Sequence, residues 1–81
     1  MDRFFQLKAF VEVVEAGSLS GAADRLNIAK SAVSRHLKAL ESRLGVQLLV
    51  RTTRRQRLTA AGEDFYERSL DVLAERLGDE G

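Results

Sequence analysis

Apolar side chains recur at Leu7, Phe10, Val11 and Val14, the i, i+3, i+4, i+7 spacing that lines one side of an α-helix. This predicts a first helix over residues 3–16, closed by Gly17, which can take the left-handed conformation of a helix end. Ser18 or Ser20 then offers a hydroxyl to the free backbone N–H groups of a second helix. Leu19, Ala22, Ala23 and Leu26 repeat the spacing there, and the two alanines let another helix approach closely. Asn27-Ile28-Ala29 is a connection of about three residues, the length that joins the helices of a helix-turn-helix, with Ile28 at the corner. A third helix is predicted over 30–44, with Val33, Leu37, Leu40 and Leu44 as a narrow buried stripe and Gly45 as its stop. The opposite face collects Ser31, Ser34, Arg35, Lys38 and Ser42, none of them apolar.

Beyond Gly45 the period changes. Val46 to Val50 is β-prone apart from Gln47, Thr52 to Gln56 is polar and basic, and Arg57-Leu58 returns to an apolar residue. A short β-hairpin over 46–58 follows, with Thr52-Thr53-Arg54-Arg55 at its tip. The tip has no Asn-Gly turn signal, which leaves an irregular loop as the alternative. Thr59 can cap a last helix over 59–77, and Glu63 and Asp64 in its first turns complement the helix dipole. Tyr66, Leu70, Leu73 and Leu77 form one apolar stripe on it, beside a second made by Ala61, Phe65 and Val72. Two stripes call for two partners: the domain itself and a second subunit, with Tyr66, Leu70, Leu73 and Leu77 assigned to the subunit contact. The alternative is a single core that takes both. Residues 78–81 are expected to fray. The fold class is mainly α with a small β-hairpin: a winged helix-turn-helix over 1–58, then a linker and dimerisation helix over 59–77.

Composition narrows the picture further. With 81 residues and 44% hydrophobic content the chain can build one small domain. A domain of this size buries only about 60% of its unfolded surface, so a homodimer contact would add useful stability. The chain has no cysteine, which excludes disulfides, thiolate metal sites and cysteine nucleophiles and fits a reducing cytosol. Met1-Asp2-Arg3-Phe4-Phe5 soon meets Lys8 and Glu12, so the start lacks the apolar run of a signal peptide or membrane span. A soluble cytoplasmic protein with no membrane partner is expected.

The net charge of +1 hides a strong asymmetry. Residues 1–24 carry two basic and four acidic side chains, residues 25–57 nine and one, and residues 58–81 two and seven, giving segment charges of −2, +8 and −5. A block of Arg and Lys this dense in a folded domain is the electrostatic footprint of a polyanion, although a merely solvated face has the same composition. Helix 30–44, about 22 Å long, fits the roughly 12 Å wide major groove of double-stranded DNA. Arg35 can bond guanine O6 and N7 bidentately, Ser31 and Ser34 can reach bases or phosphates, and Ala32 can touch a thymine methyl, while Lys30 and Lys38 suit phosphates. Arg54 or Arg55 at the hairpin tip can enter the adjacent minor groove, with backbone neutralisation the plainer role for Arg55 and Arg57. An enzyme is not expected: His36 is the sole histidine, the helix-3 serines lack an activating base, and there is no glycine-rich phosphate loop. Neither a metal nor a cofactor is called for.

In order along the chain, Leu7-Lys8-Ala9-Phe10-Val11, Gly17-Ser18-Leu19-Ser20-Gly21-Ala22-Ala23, Ser31-Ala32-Val33-Ser34-Arg35, Leu40-Glu41 with Leu44-Gly45, Arg51-Thr52-Thr53-Arg54, and Leu58-Thr59 with Ala61-Gly62 resemble the N-terminal DNA-binding domain of LysR-type transcriptional regulators. The resemblance spans nearly the whole chain. It implies a bacterial, nucleoid-associated winged helix-turn-helix with the third helix in the major groove, residues 46–58 as the wing, and dimerisation through the last helix. It implies DNA contacts from Ser18, from Lys30, Ser31, Ala32, Ser34, Arg35 and Lys38, and from Arg51, Thr52, Thr53, Arg54 and Arg55. The sequence departs from the family's usual pattern at Lys30, where glutamine is common, and at Ser31, where proline is frequent. Regulators of this kind continue into an effector-binding domain absent from this chain, which therefore reads as the DNA-binding part of a longer protein, with a natural stand-alone module as the alternative. The competing reading is a winged-helix protein-interaction module whose +8 segment binds an acidic protein surface.

Overall fold

The computed structural model describes residues 2–51 and 56–80, the side chains of Arg51 and of 76–80 excepted. Helix α1 (Arg3–Ala16) starts where the Asp2 carboxylate accepts the Phe4 N–H at 3.0 Å, and it stops at Gly17, whose φ of 79° lets its N–H turn back onto the Val13 carbonyl. Helix α2 (Leu19–Leu26) is capped by Ser18, whose Oγ accepts the Gly21 N–H at 3.0 Å. Asn27 closes it at φ 58°, a left-handed conformation that asparagine tolerates better than most residues. The chain then turns through Ile28, which packs on the core, into α3 (Lys30–Leu44). These three helices have the bounds that their hydrophobic spacing and caps predict.

Strands β1 (Leu49–Arg51) and β2 (Gln56–Leu58) pair antiparallel, with Leu49 opposite Leu58, Val50 opposite Arg57 and Arg51 opposite Gln56. This is the expected hairpin; its predicted tip, Thr52 to Arg55, lies outside the described residues. The last helix, α4 (Ala60–Glu80), runs past the predicted end at residue 77 and includes 78–80. The sequence there has no proline to stop a helix, and a lone Gly78 costs only about 1 kcal/mol relative to alanine.

The core forms around α1, which packs against α2, α3 and α4 at once. That is why its buried set is wider than one stripe: Ala9 and Val13 are buried with Phe10 and Val11, and so is Gln6. The buried Gln6 amide is satisfied, its Oε1 accepting from Arg43 Nη2 at 3.1 Å. Val33, Leu37 and Leu40 of α3 are buried as predicted, whereas Leu44 at the end of that stripe is 36% exposed.

The apolar faces of α4 divide differently from the sequence expectation. Phe65, Tyr66 and Leu73 lean on the chain's own core, with the Phe65 and Phe10 rings edge to face at 5.5 Å, and Ser69 is buried among them, donating to the Phe65 carbonyl at 2.7 Å. At about 100° per residue these four positions occupy one arc of about 100°, with the small Ser69 near its middle where the helix comes closest. Tyr66 and Leu73 are thus half-buried within the domain, Leu70 and Val72 are 38% and 44% exposed, and the Leu77 side chain lies outside the description. The Tyr66 hydroxyl donates to Glu15 at 3.1 Å, which fastens α4 to the end of α1.

The start of α4 is held against the hairpin by a close backbone contact. Thr59 Oγ1 accepts the Gly62 N–H at 2.9 Å and donates to the Gln47 carbonyl at 2.6 Å, while the Thr59 N–H bonds the Leu48 carbonyl at 3.0 Å. A Cβ on Gly62 would run into the Leu48 carbonyl oxygen. Gly62→Ala is therefore expected to lose at least about 2 kcal/mol of unfolding free energy in urea titrations, since backbone must move to admit the methyl group. Gly45→Ala, which meets open space at φ 72°, should lose only about 1 to 2 kcal/mol, and equal stability of the two variants would contradict the close approach.

A second expectation concerns Tyr66, whose phenol has its pKa raised by burial first and then by its bond to Glu15 and that carboxylate's charge. The raised folded value means that the neutral phenol's contribution to stability is present below the ordinary tyrosine range and is lost as pH rises through the folded pKa. Urea midpoints followed into alkaline pH should fall more steeply for the wild type than for Tyr66→Phe. Parallel profiles would show that the Glu15 contact is not maintained in solution.

Candidate nucleic-acid interface

Helix α3 hides Val33, Leu37 and Leu40 and so must turn its other side outward. Lys30, Ser31, Arg35, Lys38 and Ser42 are exposed, with Ala32 and Ser34 half-buried at the edge of the face. Among the described residues Lys30, Arg35 and Lys38 form neither an ion pair nor a side-chain hydrogen bond. Two other cations of the basic segment are occupied: Arg25 lies 3.9 Å from Glu12, and Arg43 donates to Gln6. Three of the cations without a protein partner among the described residues thus share the polar side of α3.

The remaining predicted contacts are distributed around this face. Ser18 is exposed at the start of α2, where its Oγ serves as cap acceptor and its O–H is still able to donate outward. Arg51 is placed by its backbone in β1, its side chain being outside the description, as are Thr52, Thr53, Arg54 and Arg55 altogether. Arg57 is exposed on β2. His36 is turned toward α1, its ring 4.8 Å from Phe5 in an edge contact, and its Nδ1 is buried without a partner among the described residues. That is a packing position at the border of the core.

Between α3 and the root of the hairpin lies an open cleft of about 250 Å³, lined by Ser34, Leu37, Lys38, Glu41, Gln47 and Leu49. Glu41 Oε2 accepts the backbone N–H groups of Leu48 at 2.7 Å and Leu49 at 3.2 Å, and Gln47 Nε2 donates to the Leu49 carbonyl at 3.0 Å. On the other side Gln56 Nε2 donates to the Val13 carbonyl at 2.8 Å, which ties β2 to α1. The sequence reading did not assign roles to Glu41, Gln47 and Gln56 in placing the hairpin. One signal was present: Glu41 is the sole acidic residue in a segment with nine basic ones, as expected for an internal acceptor.

The arrangement presents a rigid helix with unpaired cations and short polar side chains, next to a two-stranded arm, a shape suited to a grooved polyanion. A profile of the bacterial regulatory helix-turn-helix proteins of the LysR family matches residues 4–63. The chain is 47% identical over 74 residues to the HTH-type transcriptional regulator YhjC of Escherichia coli K12, covering 91% of this chain and 25% of that protein. It is 51% identical over 70 residues to the HTH-type transcriptional regulator CrgA of Neisseria meningitidis serogroup C, covering 86% of this chain and 23% of that protein. Among solved structures it resembles that of the CbnR_DBD–DNA complex, with a TM-score of 0.87 and 44% identity over 98% of this chain and 93% of that one. The chain spans about a quarter of the length of the curated relatives it matches. It belongs to the LysR family and has the winged helix-turn-helix fold of that family's DNA-binding domains.

Proposed function

We propose that this LysR-family domain binds double-stranded DNA sequence-specifically, with α3 in the major groove and the hairpin against the backbone and the adjacent minor groove. The observation that carries the reading is the outward face of α3, where Arg35 and Lys38 stand exposed without a protein partner among the described residues. Arg35 has the fork geometry for a guanine edge, and Ser31, Ala32 and Ser34 have the size to let the helix backbone approach the bases. Lys30 and Lys38, as compact point charges, serve phosphates, as does Ser18 through its free O–H. Arg51 and residues 52–55 supply the wing contacts in this reading. The likeness to CbnR_DBD, solved with DNA, supports it.

The domain acts as a homodimer through α4 in the bacterial cytoplasm. Leu70 leads the contact, with Leu77 about two turns on and with Tyr66 and Leu73 at the inner edge, because Leu70 is a large apolar side chain of that stripe left 38% exposed. Each α3 then meets one half-site, spaced by about 34 Å or a multiple of it. A part in transcriptional regulation follows from the family rather than from any contact of this domain.

Selection from random double-stranded DNA should return a dyad-symmetric motif; failure to enrich any motif at moderate salt would favour the protein-interaction alternative. On the selected site Arg35→Ala should cost about 1 to 3 kcal/mol and relax one base position, whereas Lys38→Ala should weaken all sequences alike and lower the salt slope by about one. Equal losses on selected and random DNA for Arg35→Ala would refute its reading role. Leu70→Asp should shift the chain toward monomer in sedimentation equilibrium and leave the helical circular dichroism signal intact.

A further inference from the structure

The carboxylate of Glu41 stands apart in its surroundings. It is the one acidic side chain in the +8 segment, and among the described residues it forms no ion pair. Its bonds go instead to two consecutive backbone N–H groups, Leu48 at 2.7 Å and Leu49 at 3.2 Å, both residues being buried. Ser34, Lys38 and Glu41 follow one another at i, i+4 and i+7, so they share one row of α3. That row forms one wall of the cleft, and Gln47 and Leu49 are on the other. Lys38 looks outward from the row, and Glu41 three residues later is turned onto the hairpin root.

The covalent link between α3 and β1 does little to fix their relation. Gly45, Val46 and Gln47 are all exposed, and Gly45 adopts φ 72°. Apolar packing of Leu48 sets how near the hairpin comes but is not directional. One charged oxygen accepting from two adjacent amides does impose a direction, and charge-assisted bonds are about twice as strong as neutral ones.

We propose that Glu41 is a positioning residue for DNA recognition: it fixes the distance and angle between α3 and the hairpin, so that the α3 face and Arg57 on β2 engage one duplex together. The role rests on the DNA-binding reading above and extends it to a residue that itself touches no DNA. Its consequence is energetic coupling between positions 41 and 57, because Arg57 contributes fully only when the strand that carries it is correctly aimed.

The test is a double-mutant cycle on the duplex selected by this chain, titrated at several salt concentrations. Glu41→Ala, Glu41→Asp and Glu41→Gln are each measured with and without Arg57→Ala, and circular dichroism at the same temperature gives the folded fraction. In the wild-type background Arg57→Ala should weaken binding about five- to tenfold and lower the salt slope by about one. In Glu41→Ala and in the shorter Glu41→Asp, it should cost less than about twofold, with the salt slope already lowered before Arg57 is removed. Glu41→Gln, whose amide oxygen still accepts an N–H, should restore most of the Arg57 effect. Should Glu41→Ala fail to fold, Glu41→Asp carries the same comparison. An Arg57→Ala effect of equal size in every folded background, with an unchanged salt slope, would overturn the role and leave the DNA reading standing. Absence of binding by the wild-type chain to any selected site would overturn both.

Discussion

The backbone of Leu48 is where α3, the hairpin and α4 are tied to one another. Its N–H is taken by Glu41 of α3, its carbonyl accepts the Thr59 N–H, and the same oxygen lies where a side chain on Gly62 would have to go. Its side chain is only 1% exposed, so these polar groups are joined at the edge of the hydrophobic core. In such surroundings a backbone group left without a partner costs about 1 to 3 kcal/mol, and the cost falls on any arrangement that separates the three elements. The hairpin, too short to be stable alone, is thereby part of the helical domain.

A second constraint acts from the centre. Because α1 is surrounded by α2, α3 and α4, it supplies a common floor for the pair of helices that make the helix-turn-helix and for the helix that leaves it. Phe10 meets Phe65, the Val13 carbonyl accepts Gln56, Gln6 accepts Arg43 and Glu15 accepts Tyr66. These contacts run from α1 to α3, to β2 and, twice, to α4. The reading face of α3 is consequently braced from behind at the Gln6 end and at the hairpin, and its own outward side chains need not contribute to stability. That separation permits Arg35 and Lys38 to remain unpaired among the described residues.

How far the sequence could be read follows from the range of the interactions involved. The ends of α1, α2 and α3 depend on local chemistry at Ser18, Gly17, Asn27 and Gly45, and each is visible in a few adjacent residues. The polar face of α3 is equally legible, since hiding Val33, Leu37 and Leu40 determines what must point away. The division of α4 was not legible, because Tyr66 and Leu70 are equally apolar in pattern and only the position of α1 decides which one faces the core. Nor was the wider burial of α1: Ala9, Val13 and Gln6 fall outside a single stripe, and three covering helices are a tertiary fact. Glu41 was hidden for a different reason, since a carboxylate on a polar helix face looks like solvated charge until the amides seven and eight residues later are placed beside it.

The same placement gives the segment charges a direction. Lys30, Arg35 and Lys38, unpaired among the described residues, lie on the outward face of α3, whereas α4 exposes Glu63, Asp64, Glu67, Asp71 and Glu75, of which Asp64 is paired with Arg68 at 3.1 Å. With a net charge of only +1, long-range attraction to a polyanion is weak, and the field is chiefly that of a dipole. Such a field does more to orient an approaching molecule than to draw it in: α4 is repelled from phosphates while α3 is attracted. Salt screens this preference beyond roughly 10 Å, so orientation is selected in the last stage of approach, when the face of α3 and the groove are already within reach of each other. Acidic residues on α4 are thus disfavoured beside phosphates, and the helix that carries them is fixed on the core by Phe65, Tyr66 and Leu73.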